Sequence, residues 1–184
     1  MVLKEWGQLP IQQEATRAAE RVLDSVWPGG SADAVLPVDP AYIALKLGID
    51  VYETFLDQDV FALLVKEPGQ DPAIALNEAD SENRKRFSCA HELGHFIRRT
   101  DGDLGLEQYA YLDKRSALSS SGTDFEEVYA NAFSASLLMP SEAVKRFVKL
   151  QLHPSEMAVR FDVSSDAMRY RLENLGYRNS GQAS

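Results

Sequence analysis

Three residues within one short segment have the types and spacing of a metal-dependent hydrolytic centre. His91, Glu92 and His95 form the pattern His-Glu-x-x-His inside an apolar, helix-like run. Residues four apart lie on one face of a helix, so both imidazoles could bind one Zn²⁺ from the same side. Glu92 could act as general base toward a water molecule at the metal. The pattern therefore predicts metal-assisted hydrolysis, most often of a peptide bond.

Two histidines at this spacing can also be packing or surface residues. The chain has only 3 histidines in 184 residues, and two of them stand four apart with a glutamate between them. The metal interpretation is therefore preferred, and it requires a further ligand elsewhere in the chain.

A third ligand is expected because catalytic zinc sites usually have three protein ligands and one open position. Glu127 is preferred, since it lies near the start of a predicted helix. The alternatives are its neighbour Glu126, which has a competing role in a capping box begun by Thr123, and the more distant Asp124. Asn131, one turn after Glu127, could accept a hydrogen bond from one of the imidazoles and fix its orientation.

The predicted helix that carries Glu127 is expected to pack against the helix that carries His91. The residues expected at that contact are Ala130, Phe133, Ala135, Leu137 and Leu138. Cys89 should point away from the metal as a small buried residue, because it lies two positions before His91.

A second group to stabilise the oxyanion is usual in such sites. Tyr109 and Tyr111, in an unpatterned stretch over 100–122, and His153, before Pro154, are the candidates. A half-buried tyrosine and a surface or helix-capping histidine are the alternative interpretations, and they are preferred.

Composition narrows the class of protein. The chain has 184 residues, 45% hydrophobic content and one cysteine, which predicts a single globular domain without an intramolecular disulfide. No apolar run approaches a membrane span and no signal peptide is visible, so the cytoplasm is the expected location. The net charge of −9 argues against non-specific binding to nucleic acid.

The remaining patterns predict a mainly helical α+β fold in which a small three-stranded sheet packs on the His91 helix. The predicted helices cover 11–26, 40–47, 81–99, 123–139, 141–150, 155–161 and 164–175, and the strands cover 49–55, 60–66 and 73–77. Asp39 should cap the second helix with Pro40 at its first position.

Three segments resemble the ImmA/IrrE-type metallopeptidases. Residues 86–95 (RFSCAHELGH) are similar to that family's R-F-T-x-A-H-E-[LF]-G-H, and residues 127–140 (EVYANAFSASLLMP) to its E-x-x-A-N-x-F-A-x-x-L-L-M-P. Residues 158–172 (AVRFDVSSDAMRYRL) resemble its A-x-x-F-x-V-S-x-x-A-x-x-x-R-L. Ser88 and Ser134 depart from the usual Thr and Ala, and neither change removes a ligand. The resemblance spans about residues 12–177.

The resemblance implies a gluzincin-like zinc site with His91, His95 and Glu127 as ligands and Glu92 as base. It also implies a zincin-like core over 1–140, with a helix-turn-helix-like segment over 141–178 packed on it. Residues 179–184 should form a frayed tail.

Members of the family act as site-specific proteases on helix-turn-helix repressors, and others belong to toxin–antitoxin-like pairs. The predicted function is therefore a zinc endopeptidase that cleaves a repressor or antitoxin and relieves repression. The alternative is a zinc-containing toxin or regulator that binds a partner protein without cutting it. The complete His-Glu-x-x-His pattern favours the enzyme, because a structural site has no need of Glu92.

The C-terminal segment raises the possibility of DNA binding. Residues 155–175 resemble a helix-turn-helix, and the arginines that could touch phosphate are Arg160, Arg169, Arg171 and Arg178. The acidic balance of the chain favours a structural or partner-docking role instead.

Overall fold

The predicted α+β fold is confirmed, and every predicted helix and strand is present. The computed structural model describes residues 9–67, 69–101, 111–116 and 125–177, and for 9, 101 and 111–116 the backbone alone. The helices are α1 (Leu9–Val26), α2 (Pro40–Lys46), α3 (Glu82–Asp101), α4 (Phe125–Leu138), α5 (Ser141–Lys149), α6 (Pro154–Phe161) and α7 (Ser165–Asn174). The strands are β1 (Asp50–Thr54), β2 (Val60–Lys66), β3 (Ala73–Asn77) and β4 (Tyr111–Ser116).

The sheet contains the three predicted strands and one more. Its order is β1-β3-β2-β4, with β1 parallel to β3 and the other two pairs antiparallel. β4 lies within residues 100–122, which were predicted to be a loop, and pairs Lys66 with Tyr111 and Val60 with Ser116. Its sequence YLDKRS has no apolar alternation, so only the pairing with the distant β2 reveals the strand.

The predicted start of α2 is confirmed. The carboxylate of Asp39 accepts hydrogen bonds from the backbone N–H groups of Ala41 (3.0 Å) and Tyr42 (3.2 Å), and Pro40 begins the helix. These bonds satisfy N–H groups that have no partner within the helix. The helix then ends before Gly48, which has a positive φ of 78°.

One cluster of buried apolar side chains joins the helices to one face of the sheet. Buried members include Leu23 of α1, Leu64 of β2, Leu93 of α3 and Phe133 of α4. Among the described residues, no helix combines the length and apolar character needed to cross a bilayer.

The C-terminal helices share this cluster through Phe161 and Met168. A second link is polar: Arg86 of α3 donates to the carbonyl oxygens of Asp162 (3.2 Å) and Val38 (2.7 Å). The division of the chain near residue 140 stays a prediction, and residues 178–184 lie outside the described part of the chain.

A buried amide fixes the turn that leads into α3. The Asn77 side chain, 4% exposed, donates to the carbonyl oxygens of Val60 (2.8 Å) and Asp57 (3.3 Å). Its own oxygen accepts from the N–H of Ala79 (3.2 Å). Asn77 therefore joins the end of β3 to the β1–β2 connection just before the helix that carries His91.

Substitution Asn77→Ala is expected to destabilise the fold by about 1–3 kcal/mol, because the buried Val60 carbonyl would lose its partner. Urea unfolding followed by circular dichroism measures this change. Asn174→Ala, at an exposed position, is the matched control and should change the free energy of unfolding by less than about 0.5 kcal/mol. Equal stability of the two variants would contradict the role given to Asn77.

Candidate metal centre

α3 places His91 and His95 one turn apart on the same face. Their rings meet edge to face, with centroids 4.8 Å apart, and their Nε2 atoms are separated by 3.1 Å. Both side chains are buried, at 1% and 5% exposure. The helix alone therefore points two imidazole nitrogens at one position away from bulk water.

α4 crosses α3 closely enough to add a third group, and Gly94 permits this approach. A Cβ atom at residue 94 would lie 3.2 Å from the Cα of Ala130 and 3.1 Å from Cδ1 of Phe133. These distances are tighter than ordinary van der Waals contact, and the Ala130 atom belongs to the backbone, so a larger residue would push the helices apart. Glycine between the two histidines thus allows the docking of the helix that carries Glu127.

The carboxylate of Glu127 reaches both imidazoles. Its Oε1 atom lies 3.2 Å from Nε2 of His95, and its Oε2 atom lies 3.3 Å from Nε2 of His91. Burial raises the pKa of Glu127, but the two imidazoles, when protonated, outweigh it by hydrogen bonding and charge attraction and hold the pKa well below its usual range. Glu127 is therefore an ionised carboxylate that faces two ring nitrogens.

The three side chains fit a tetrahedral metal ion. Within the described residues, His91, His95 and Glu127 form the group of ligand-type side chains able to hold one. A tetrahedral Zn²⁺ site with bonds of about 2.0–2.2 Å has ligand atoms about 3.3–3.6 Å apart. Here the two imidazole nitrogens lie 3.1 Å apart, and one ligand atom from each of the three side chains lies within 4.8 Å of the others. The donor set therefore supports a metal cofactor.

Asn131 orients one of the imidazoles. Its Oδ1 atom lies 3.1 Å from Nδ1 of His91, a distance that makes Nδ1–H the donor when the amide oxygen faces the ring. A proton on Nδ1 leaves the lone pair of Nε2 directed at His95 and Glu127. The structure thus brings Asn131 to His91, and its role in orienting that ring for a metal stays a prediction.

Glu92 lies between the two histidines along α3 and is 0% exposed. The two rival carboxylates have different positions. Glu126 points away from the cluster toward Arg99, at 3.8 Å, and Asp124 lies outside the described residues. Of the acidic side chains considered for the third ligand, the structure brings Glu127 to the histidines.

Of the three candidates for an oxyanion donor, the structure describes the side chain of His153, which has another role. His153 is the N-cap of α6, where its Nδ1 accepts from the N–H of Ser155 and Glu156 completes a capping box. Tyr109 lies outside the described residues, and Tyr111 is described by its backbone alone. Cys89 is buried as expected, at 1% exposure, and burial raises the pKa of its thiol to about 12.

Arg98 is a positioning residue that the sequence did not reveal. Its guanidinium donates to the carbonyl oxygen of Phe125 (3.0 Å), at the start of α4, and lies 5.0 Å from the ring centre of Tyr129. These contacts hold the first turn of α4 against the last turns of α3. Arg98 follows His91 by two helical turns, but only a three-dimensional contact identifies its partner.

Comparison with known proteins agrees with this donor set. The family model Peptidase M78, described as the IrrE N-terminal-like domain, matches residues 44–173 and so includes all of the site residues named above. The chain belongs to this family. Its resemblance to the ImmA/IrrE-type metallopeptidases is thereby confirmed.

A curated relative of this Peptidase M78 chain is the radiation response metalloprotease IrrE of Deinococcus radiodurans. The two are 30% identical over 145 residues, which is 72% of this chain and 42% of the relative. A solved structure, a Mycobacterium tuberculosis transcriptional regulator, superposes with a TM-score of 0.55 at 18% identity. The match covers 92% of this chain and 49% of that one, and it shows a shared fold.

If the cluster binds a metal, Asn131→Ala should lower zinc affinity about 10- to 100-fold, because His91 would lose the acceptor that orients it. Competition with a chromogenic chelator measures the affinity. Asn131→Asp keeps the acceptor and should bind zinc at least as tightly as the wild type, whereas Asn131→Ala should not.

Asn83→Ala, in the first turn of α3, is the matched control and should leave zinc affinity unchanged. Unaltered affinity in Asn131→Ala would show that the hydrogen bond to His91 has no role in metal binding.

Proposed function

We propose that this chain is a zinc-dependent endopeptidase that cuts a helix-turn-helix repressor or antitoxin at a specific site and so relieves repression. The observation that carries the proposal is the convergence of His91, His95 and Glu127, with ligand atoms 3.1–3.3 Å apart, on the helix pair that also holds Glu92. Two imidazoles and one carboxylate are a ligand set of catalytic zinc peptidases.

Zinc is the metal best suited to these donors. Imidazole nitrogen binds zinc readily, and a site with three protein ligands leaves a position open for substrate or water. Mg²⁺ and Ca²⁺ favour sites built of oxygen ligands, whereas two of the three donors of this cluster are imidazole nitrogens. Zinc, when bound here, supplies a Lewis acid that polarises a carbonyl group and lowers the pKa of water to about 7.

Each side chain of the site then has a distinct task. His91, held by Asn131, and His95 present neutral imidazole nitrogens, and Glu127 adds the negative charge. Glu92 accepts the proton of the attacking water and passes it to the leaving amine.

The substrate class is supported by resemblance. The three motifs over residues 86–95, 127–140 and 158–172 are those of peptidases that act on helix-turn-helix regulators. The chain spans 42% of the length of the metalloprotease IrrE that it matches, so the activity and partners of that whole protein are not carried over. A repressor or antitoxin from the neighbouring gene is the first substrate to test, and the cytoplasm is where the two would meet.

Glu92→Gln is expected to lower the cleavage rate by about 100- to 10,000-fold while zinc remains bound, because the amide cannot accept the proton. The test is co-expression with the neighbouring helix-turn-helix protein, followed by mass spectrometry of the products and metal analysis of the purified chain. Glu126→Gln, which neutralises the acidic neighbour of Glu127 in the first turn of α4, should leave both cleavage and zinc content unchanged.

Glu127→Gln distinguishes the role of a metal ligand from that of the general base. It should lose zinc and cleavage together, whereas Glu92→Gln should lose cleavage alone. A repressor that stays full length with the wild-type chain, under conditions in which it is inactivated, would refute the protease. A zinc-containing regulator that binds its partner without cutting would then be the better interpretation.

A further inference from the structure

Two cavities adjoin beside α4. Their volumes are about 600 and 690 Å³, which is the size of small-molecule sites. The first is bounded by α3, α4 and α7, and the second by α1, α4 and α7. Four residues line both, and they define the Arg171 cleft: Asn131, Ala135, Arg171 and Asn174.

Arg171 is a buried cation with an incomplete set of partners. The residue is 7% exposed, and its Nε donates to the carbonyl oxygen of Met139 at 3.0 Å. Its Nη2 is enclosed and has no hydrogen-bond partner among the described residues. Burial lowers the pKa of Arg171 to about 10, against an opposing influence from Glu20, so the group is still a cation at neutral pH.

The contact with Met139 does not account for this arginine. One neutral donor at the same place would hold α7 to the end of α4 equally well. A guanidinium carries five N–H donors in a planar fork that matches a carboxylate, and a buried donor without a hydrogen-bond partner is destabilising. An anion that accepts hydrogen bonds from the remaining N–H groups would explain the buried Arg171 better than the contact with Met139 does.

The walls of the first cavity favour a ligand with both an acidic and an apolar part. Phe87, Met139 and Val163 provide an apolar surface, and Arg84 adds a second cation. The one carboxylate there, that of Asp166, is already paired with Arg169 at 3.1 Å. Arg84 is itself paired with Asp80 at 3.6 Å, so among the described residues Arg171 is the cation of this cavity without an ion pair.

We propose that the Arg171 cleft binds a small organic acid, whose carboxylate pairs with the Arg171 guanidinium and whose apolar body fills the cavity between α3, α4 and α7. Asn131 lines the cleft and also contacts His91, so the ligand would lie beside the residue that orients the candidate metal centre. The proposal stands whether or not the chain is a protease.

The experiment records the Nε–H signal of Arg171 in ¹⁵N-labelled full-length chain, assigned by its loss in Arg171→Lys. The probes are phenylacetate, hexanoate, octanoate and adipate, each beside its matched amide, with acetate and inorganic phosphate as anions that lack an apolar body. We expect a saturable shift with at least one of the longer acids, and a shift at least about tenfold weaker in affinity with its amide.

Two variants locate the site. Ala167→Leu fills the first cavity without changing Arg171, and it should weaken binding of the acid at least about tenfold while circular dichroism and zinc content stay the same. Arg171→Lys should weaken binding of the acid similarly, measured by ligand-detected NMR. Arg169→Lys, an exposed arginine on the same helix, is the matched control and should bind as the wild type does.

Several results would overturn the proposal. One is the absence of a saturable shift with every probe at millimolar concentration, which would mean that water alone satisfies the remaining N–H donors of Arg171. Equal binding of acid and amide, equal binding of acetate or phosphate, or binding that survives Ala167→Leu would also exclude it. Capture of an acidic peptide without any of the free acids would assign the cleft to a protein partner instead.

Discussion

The close crossing of α3 and α4 at Gly94 is the constraint on which the site depends. Two of the three clustered side chains come from α3 and need no tertiary structure beyond the helix itself. The third, Glu127, reaches them only because the backbone at Ala130 can approach a residue without a Cβ atom. The hydrogen bond from Arg98 to the first turn of α4 and the bond from His91 to Asn131 then fix the rotation of one helix against the other.

Local patterns were sufficient to predict the parts of the site that depend on one helix. The spacing of His91 and His95 follows from helical geometry, and the position of Asn131 relative to Glu127 follows from the same period. Glu127 lies at the histidines while Glu126 lies beside Arg99, because adjacent helical residues point about 100° apart, and the choice of Glu127 as a ligand stays a prediction. Whether these side chains bind zinc and cut a peptide is a question of chemistry that position alone does not answer.

Features that depend on distant pairs could not be predicted in this way. β4 has a polar, charged sequence, and its conformation comes from hydrogen bonds to β2, about fifty residues earlier. The role of Arg171 was also misjudged in part: it was grouped with arginines able to touch phosphate, yet it is buried against Met139. The residue type revealed its charge, but only the packing of α7 on α4 revealed that the charge is enclosed.

The division of the cluster between two helices also has a consequence for how the chain matures. His91 and His95 are synthesised more than thirty residues before Glu127, so a growing chain can form the paired imidazoles while the carboxylate is still absent. A two-nitrogen site binds a cation weakly, and the complete set exists only after α4 has docked. If the three side chains bind a metal as proposed, tight binding therefore requires that α3 and α4 have already packed together, so metal content would report on completed folding.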